Sequence, residues 1–158
     1  MTKNIIIQSM STPDQDGYRD KLLIEKDGKT GFHCQCSVCP NQFRPIDRVK
    51  WDKAYGWVAC NTVDTPYSWQ CIANPKHGKC LEINKGDKVP TRNFDTNNGG
   101  MFAVGVLIHC GQTDTWRGSA ACITLPPLIW FTFINSFLYG ETGLLYISDF
   151  TKKTTPQQ

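Results

Sequence analysis

A histidine and a cysteine in the second half of the sequence have the types and spacing for nucleophilic chemistry. His109 ends an apolar run, and Cys122 follows thirteen positions later, directly after the small residues GSAA at 118–121. An imidazole can take the proton of a thiol, and small neighbours leave the sulfur reachable. The pattern therefore predicts a cysteine nucleophile, Cys122, with His109 as its general base.

The backbone around this pair can supply the other groups that acyl transfer needs. The amides of Ala121 and Cys122 can form an oxyanion hole for a tetrahedral intermediate. The sequence offers no obvious acidic partner for His109, and a backbone carbonyl can orient its second ring nitrogen instead. The competing interpretation is that Cys122 is a buried structural cysteine and His109 a structural histidine, which are the commoner fates of these residue types.

Three further side chains are candidates for substrate binding. Arg117 is the only lysine or arginine between residues 93 and 151, and a guanidinium can hold a carboxylate through two hydrogen bonds. Trp116 offers a broad apolar face, and His77 stands in the sequence Lys-His-Gly-Lys. The alternatives are an exposed arginine without a role, a core tryptophan and a solvated turn.

The stretch HCQCSVC at 33–39 raises the alternative of structural zinc. Completing ligands would come from Cys60, Cys71, His77 and Cys80. The spacing is not that of paired C-x-x-C motifs, and we expect the stretch to form the return strand of a hairpin. We therefore expect no metal and no other cofactor. These cysteines are interpreted as small hydrophobic residues or as one or two disulfides, and the count of eight leaves the redox compartment open.

The composition predicts one β-rich domain. The chain has 158 residues, of which 40% are hydrophobic and 20% charged, and its 13 glycines and 9 prolines favour many turns. A net charge of +3 with dispersed basic residues argues against a nucleic-acid partner. The N-terminus lacks the apolar core of a secretory signal. The apolar stretch 123–138 is short for a membrane span and contains two prolines, so we expect no membrane span.

Turn formers and apolar runs predict the order of the elements. Asp27-Gly28 favours a hairpin over residues 22–39. Residues 102–109 are expected to form one buried strand that ends at His109, and residues 127–139 one helix buried on all sides and stopped by Gly140. Other short strands are expected at 56–60, 68–73, 80–84, 123–125 and 143–150, with an exposed loop at 93–100. We expect a single domain over 1–158, with an N-terminal extension at 1–20 and a flexible tail at 151–158.

The motifs IHCG at 108–111 and GSAACITL at 118–125 resemble the catalytic domain of the L,D-transpeptidase (YkuD-type) family. That family has a strand-end histidine and glycine, a variable loop, and then a small-residue turn with the nucleophilic cysteine. The resemblance covers residues 102–125 and extends more loosely to 22–39 and 76–84. It implies a mainly β sandwich or barrel that attacks the stem peptides of bacterial peptidoglycan.

The resemblance also implies roles for individual residues. Cys122 would be the nucleophile, His109 the base, and the backbone carbonyl of Cys110 the group that orients the imidazole. Gly118 and Ser119 would belong to the substrate-binding turn.

The chain also departs from the family pattern. The residues usually found before the nucleophile, histidine and glycine, are Ala120 and Ala121 here. Thr124 stands where an arginine is usual, and Arg117 would supply the missing cation. These departures and the short histidine-to-cysteine interval point to a divergent subgroup, such as wall-cleaving effectors or phage-associated enzymes.

The expected function is therefore acyl transfer through a thioester, with L,D-carboxypeptidase or L,D-transpeptidase activity. The expected partners are stem peptides and, for an antibacterial effector, an immunity protein or a secretion apparatus. Such a protein would act in the bacterial periplasm or cell wall, reached by a non-classical route or by export from the cytoplasm. The alternative is a non-catalytic wall-binding or zinc-stabilised module.

Overall fold

The protein is mainly β, with one α-helix in the part of the chain that is described. The structure is a computed structural model, which describes residues 2–10, 17–38, 57–58, 66–92, 101–113 and 122–149. The strands are β1 Lys3–Ser9, β2 Asp20–Lys26, β3 Lys29–Cys36, β4 Trp57–Val58, β5 Tyr67–Asn74, β6 Gly78–Ile83, β7 Val89–Arg92, β8 Met101–Ala103, β9 Leu107–Cys110, β10 Ile123–Leu125 and β11 Thr142–Asp149. The helix α1 is Pro127–Ile134, and a short 3-10 helix is Asn84–Gly86. The β-rich class expected from the composition is confirmed.

Eight of these strands form one sheet that almost closes into a barrel. Their order is β10-β9-β6-β5-β11-β1-β2-β3. The two ends meet where Ser37, just after β3, bridges Thr124 of β10 through two backbone hydrogen bonds of 2.8 and 3.0 Å. Strands β4, β7 and β8 form a separate three-stranded sheet. The seam between β3 and β10 thus lies beside β9, the strand that carries His109.

Alternate side chains of the large sheet build the core, as the period of two in a β-strand requires. They include Ile5, Ile7, Leu22, Trp69, Leu81, Ile83, Ile108, Ile123, Leu145 and Ile147, all fully buried or nearly so. The helix α1 adds Phe133, whose ring lies 6.1 Å from that of Phe32 and 5.0 Å from that of Phe137.

The hairpin predicted at Asp27-Gly28 is confirmed. These residues join β2 to β3 with φ values of 53° and 74°. Two successive left-handed residues make the tight turn whose twist suits a two-residue hairpin loop. The expectation that Gly140 stops the helix is wrong: α1 ends at Ile134 with Asn135 as its cap, and Gly140, with a left-handed φ of 84°, lies further along the chain.

The expected N-terminal extension at 1–20 is wrong for residues 3–9. Strand β1 lies inside the large sheet, parallel to β11 and antiparallel to β2. The reason is the alternation of its isoleucines, since Ile5 and Ile7 are fully buried while Ile6 is partly exposed.

The single strand expected over residues 102–109 is also wrong. The chain forms β8 and β9 there, and Gly105 between them has φ 72°. A left-handed residue breaks the extended backbone. As a result β8 joins the small sheet, and only β9 delivers His109.

The expected helix at 127–139 is shorter, and only one side of it is buried. Trp130, Phe133 and Ile134 pack inward, whereas Leu128 and Phe131 are 84% and 70% exposed. The helix packs one side against the sheet, which leaves Leu128 and Phe131 on its outer side. Within the described segments, no helix combines the length and apolarity that crossing a bilayer requires.

Several expectations fall on residues outside those described. They are the exposed loop at 93–100, the tail at 151–158, and most of the short strand expected at 56–60, of which only β4 is described.

Candidate active site

His109 and Cys122 lie on neighbouring strands and on the same face of the sheet. Strands β9 and β10 are parallel, with Thr124 paired to His109 and Ile123 to Ile108. Cys122 directly precedes β10 and is level with Leu107, whose backbone N–H donates a 3.4 Å hydrogen bond to its Sγ. Because alternate residues share a face, both side chains lie opposite the core residues Ile108 and Ile123.

The two side chains are therefore diagonal neighbours across one pair of strands. Their Cβ atoms project from the same face, two residue positions apart along the strands. An imidazole extends from one of these Cβ atoms and a thiol from the other. The register therefore places the imidazole and the thiol on one face of this pair of strands.

The imidazole of His109 is held by the backbone. Its Nδ1 lies 2.8 Å from the carbonyl oxygen of Cys110, and only 4% of the residue is exposed. A carbonyl oxygen can only accept, so Nδ1 donates and the lone pair of the neutral ring is on Nε2. This is the contact that the resemblance implies for Cys110, and it leaves Nε2 free of that bond to receive a proton.

A second histidine lies against the first. The ring of His77 stacks on that of His109, with centroids 3.9 Å apart and planes 21° from parallel. His77 belongs to the turn between β5 and β6, in which the side chain of Asn74 accepts hydrogen bonds from the backbone N–H groups of Lys76 and His77 at 2.9 and 3.0 Å. The sequence marks His77 as a candidate binding residue but carries no signal for this stack, which depends on β6 pairing with β9.

The electrostatics favour the uncharged forms of both side chains. Burial lowers the pKa of His109 to about 4, the bond to Cys110 opposes this, and the charges of His77 and Lys76 add to it. Burial raises the pKa of the Cys122 thiol, while the Leu107 N–H and the charge of Lys76 lower it in part. The thiol of Cys122 and the imidazole of His109 are therefore both neutral in the resting state near pH 7.

A row of buried polar side chains crosses the seam of the barrel next to this pair. Ser37 and Thr124 are fully buried and His109 nearly so, and their backbone pairing places them side by side. The hydroxyl of Thr124 has no hydrogen-bond partner among the described residues. Buried polar groups cost free energy unless they are bonded, so packing does not explain the hydroxyl of Thr124. The sequence marks Thr124 only as a departure from the family pattern.

The loop that leaves His109 is constrained at its start. Gly111 donates a 2.8 Å backbone hydrogen bond to Leu125, and a Cβ at this position would overlap the hydroxyl of Tyr18. That hydroxyl donates a 2.7 Å hydrogen bond to the carbonyl of Thr113. Gly111 is therefore needed for the close approach of Tyr18, which secures the first residues of the loop.

Other predicted site residues lie outside the part that the structure describes, namely Trp116, Arg117, Gly118, Ser119 and Ala121. The same holds for Cys39 and Cys60 of the zinc alternative. Among the described residues, no three histidine, cysteine or acidic side chains come together as a possible metal group. Among the described cysteines, Cys34, Cys36, Cys71 and Cys80 have free thiols.

Comparison of the chain with protein-family models, with curated proteins and with solved structures found no match.

Proposed function

We propose that this protein is a cysteine-dependent enzyme that acts on the stem peptides of bacterial peptidoglycan by acyl transfer. The observation that carries the proposal is the position of Cys122 and His109 on one face of adjacent strands, with Nδ1 of the imidazole bound to a carbonyl. The resemblance of the motifs around both residues to L,D-transpeptidase domains supports the substrate class.

In the first half of the reaction, the peptide bond between an L-centre and a D-residue is broken. The Sγ of Cys122 attacks the carbonyl carbon while its proton passes to Nε2 of His109. Collapse of the tetrahedral intermediate breaks the C–N bond, and His109 returns the proton to the leaving amine. The products are a thioester on Cys122 and the free D-residue.

In the second half, the thioester is transferred to a new acceptor. Water or an amine attacks the carbonyl carbon, His109 takes the acceptor's proton, and the thiolate leaves and is reprotonated. Water gives an L,D-carboxypeptidase, and an amine gives an L,D-transpeptidase or exchange of the D-residue. Backbone amides at Cys122 and at Ala121 would stabilise the oxyanion in both halves.

The electrostatics favour proton transfer during the attack over a pre-formed ion pair. Burial disfavours both the thiolate of Cys122 and the imidazolium of His109. Among the described residues, Lys76 is the cation that acts on both groups, and its positive charge favours the thiolate. Hence we infer a general-base mechanism in which charge develops only in the transition state.

We also propose a location and protein partners for this enzyme. Stem peptides place it in the bacterial periplasm or cell wall, and an immunity protein or a secretion apparatus would be its protein partner if it is an antibacterial effector. The second candidate function is a non-catalytic wall-binding module. The observation that favours it is the burial that keeps the thiol protonated.

An assay with purified muropeptides distinguishes these functions. Mass spectrometry of the wild type should reveal loss of a terminal D-alanine, or its exchange for an added D-amino acid. Cys122→Ala and His109→Ala should each lower the rate by at least about 100-fold, because each removes a reacting group. Cys34→Ala, which changes a thiol elsewhere in the barrel, is the matched control and should keep the wild-type rate.

The non-catalytic wall-binding module would bind muropeptides without converting them. If the wild type binds muropeptides but leaves their mass unchanged at every pH, the protein is a binding module. A loss of activity on adding a metal chelator would contradict the thiol mechanism proposed here.

A further inference from the structure

The stack of His77 on His109 is built by the turn between β5 and β6. The side chain of Asn74 holds the backbone of Lys76 and His77 from inside the turn, and Gly78 continues it with φ 67°. The two rings are 3.9 Å apart and nearly parallel. A part-buried histidine is thus fixed face to face with the proposed base.

We propose that His77 is a positioning residue for His109 and that the turn 74–78 sets the acid limit of the reaction. This inference rests on the proposed function. The bond from Nδ1 to Cys110 fixes one edge of the imidazole, and the stack fixes the plane of the ring. With both constraints, Nε2 stays directed along the face that holds Cys122.

The stack also acts on the charge that develops during catalysis. When His109 takes the thiol proton, the resulting imidazolium lies on the π face of a neutral ring, which is a favourable cation–π arrangement. When His77 is itself protonated, a second positive charge would form within 4 Å, and the two cations repel. A proton on His77 therefore weakens His109 as a base.

The neighbours of the stack keep His77 neutral under ordinary conditions. The titratable groups that act on the two rings are Lys76 on the turn, which acts on both, and His77 itself, which acts on His109. Burial lowers the pKa of His77, and the charge of Lys76 lowers it further. Both rings of the stack are then uncharged at neutral pH and become protonated only on acidification.

Two substitutions of His77 separate positioning from titration. His77→Ala removes the stack and should lower kcat about tenfold or more while KM changes less than about twofold, because a misdirected base mainly affects the transition state. His77→Phe retains a stacked ring, so it should restore several-fold of the kcat lost in the alanine variant. It cannot take a proton, so the acid limb of its pH profile should move to lower pH. His33→Phe, at an exposed site on β3, is the control and should change neither quantity.

An NMR titration tests the same contact without substrate. In the wild type, the ring signals of His109 should sense the protonation of His77, and that step should disappear in His77→Phe. The inference is overturned if the step persists, or if the acid limb of His77→Phe equals that of the wild type. If no muropeptide is processed, the proposed function fails, and the titration still decides whether the two histidines are coupled.

Discussion

Thr124 is a buried hydroxyl in a place where a ligand or a methyl group would be more favourable. It is fully buried, it lies level with His109, and its Oγ1 is unbonded within the described residues. An unsatisfied buried polar group costs roughly 1–3 kcal/mol. We therefore expect Thr124→Val, which keeps the shape of the side chain, to raise the free energy of unfolding by about 1 kcal/mol.

Urea unfolding of the free protein measures this effect. Thr30→Val, at an exposed position on β3, is the control and should change stability by less than about 0.5 kcal/mol. A destabilised Thr124→Val variant would mean that the hydroxyl is bonded in the folded protein. A more stable variant with lower turnover of muropeptide would identify the hydroxyl as a group retained for substrate.

The chemistry of the site could be read from the sequence only where it is local. The types and order of His109 and Cys122, and the small residues before the cysteine, marked the pair in the sequence. That the two side chains share a face depends on the register of β9 and β10, which pairs Thr124 with His109. The stack of His77 on His109 could not be foreseen, because it depends on how β6 aligns with β9. The same is true of Tyr18, which reaches the loop after His109 from a distant part of the chain.

In the helix α1, the contribution of a phenylalanine to stability depends on which side of the helix it lies. Phe133 is fully buried between the rings of Phe32, Trp130 and Phe137, whereas Phe131 is 70% exposed. Removing a buried phenylalanine ring costs about 3–5 kcal/mol, since it leaves a cavity. We expect Phe133→Ala to lower the free energy of unfolding by that amount and Phe131→Ala to change it by less than about 0.5 kcal/mol.

Thermal or urea unfolding of the two variants measures the stability lost at an inner and at an outer phenylalanine of the same helix. Equal losses would mean that the outer face of α1 is packed against other parts of the molecule. The sequence could not separate the two phenylalanines, because the helix is apolar on every side and shows no stripe to mark its inner face. The presence of the helix and its start at Pro127 can be predicted from nearby residues. Which side of the helix is buried depends on the sheet against which it packs.

At the scale of the whole molecule, the barrel is closed by elements that are far apart in sequence. Strand β1 lies between β2 and β11, and the bridge from Ser37 to Thr124 joins the two ends of the sheet. The hairpin of β2 and β3 was predictable from two turn residues. The position of β1 in the sheet could not be predicted, because a short run of isoleucines does not indicate that the strand pairs in parallel with β11. The seam bears on the candidate site, since it brings Ser37 and Thr124 beside His109.

Burying His109 in its neutral form makes the stability of the whole fold depend on pH. Its folded pKa of about 4 lies below the ordinary value of 6.5, so between these values the unfolded chain binds more protons than the folded protein. Stability therefore falls as the pH falls through this window, and it is retained above pH 6.5. For His109 alone, the loss between pH 7 and pH 5 amounts to about 2 kcal/mol.

Urea unfolding at pH 7 and pH 5 tests this linkage. His109→Gln is polar but does not titrate, so it should lose about 2 kcal/mol less than the wild type on acidification. His33→Gln, at an exposed site on β3, should lose as much as the wild type. Equal losses in all three proteins would mean that His109 takes up its proton in the folded state as readily as in the unfolded chain. In that case the imidazole would be solvated, and the neutral resting pair on which the general-base mechanism depends would not exist.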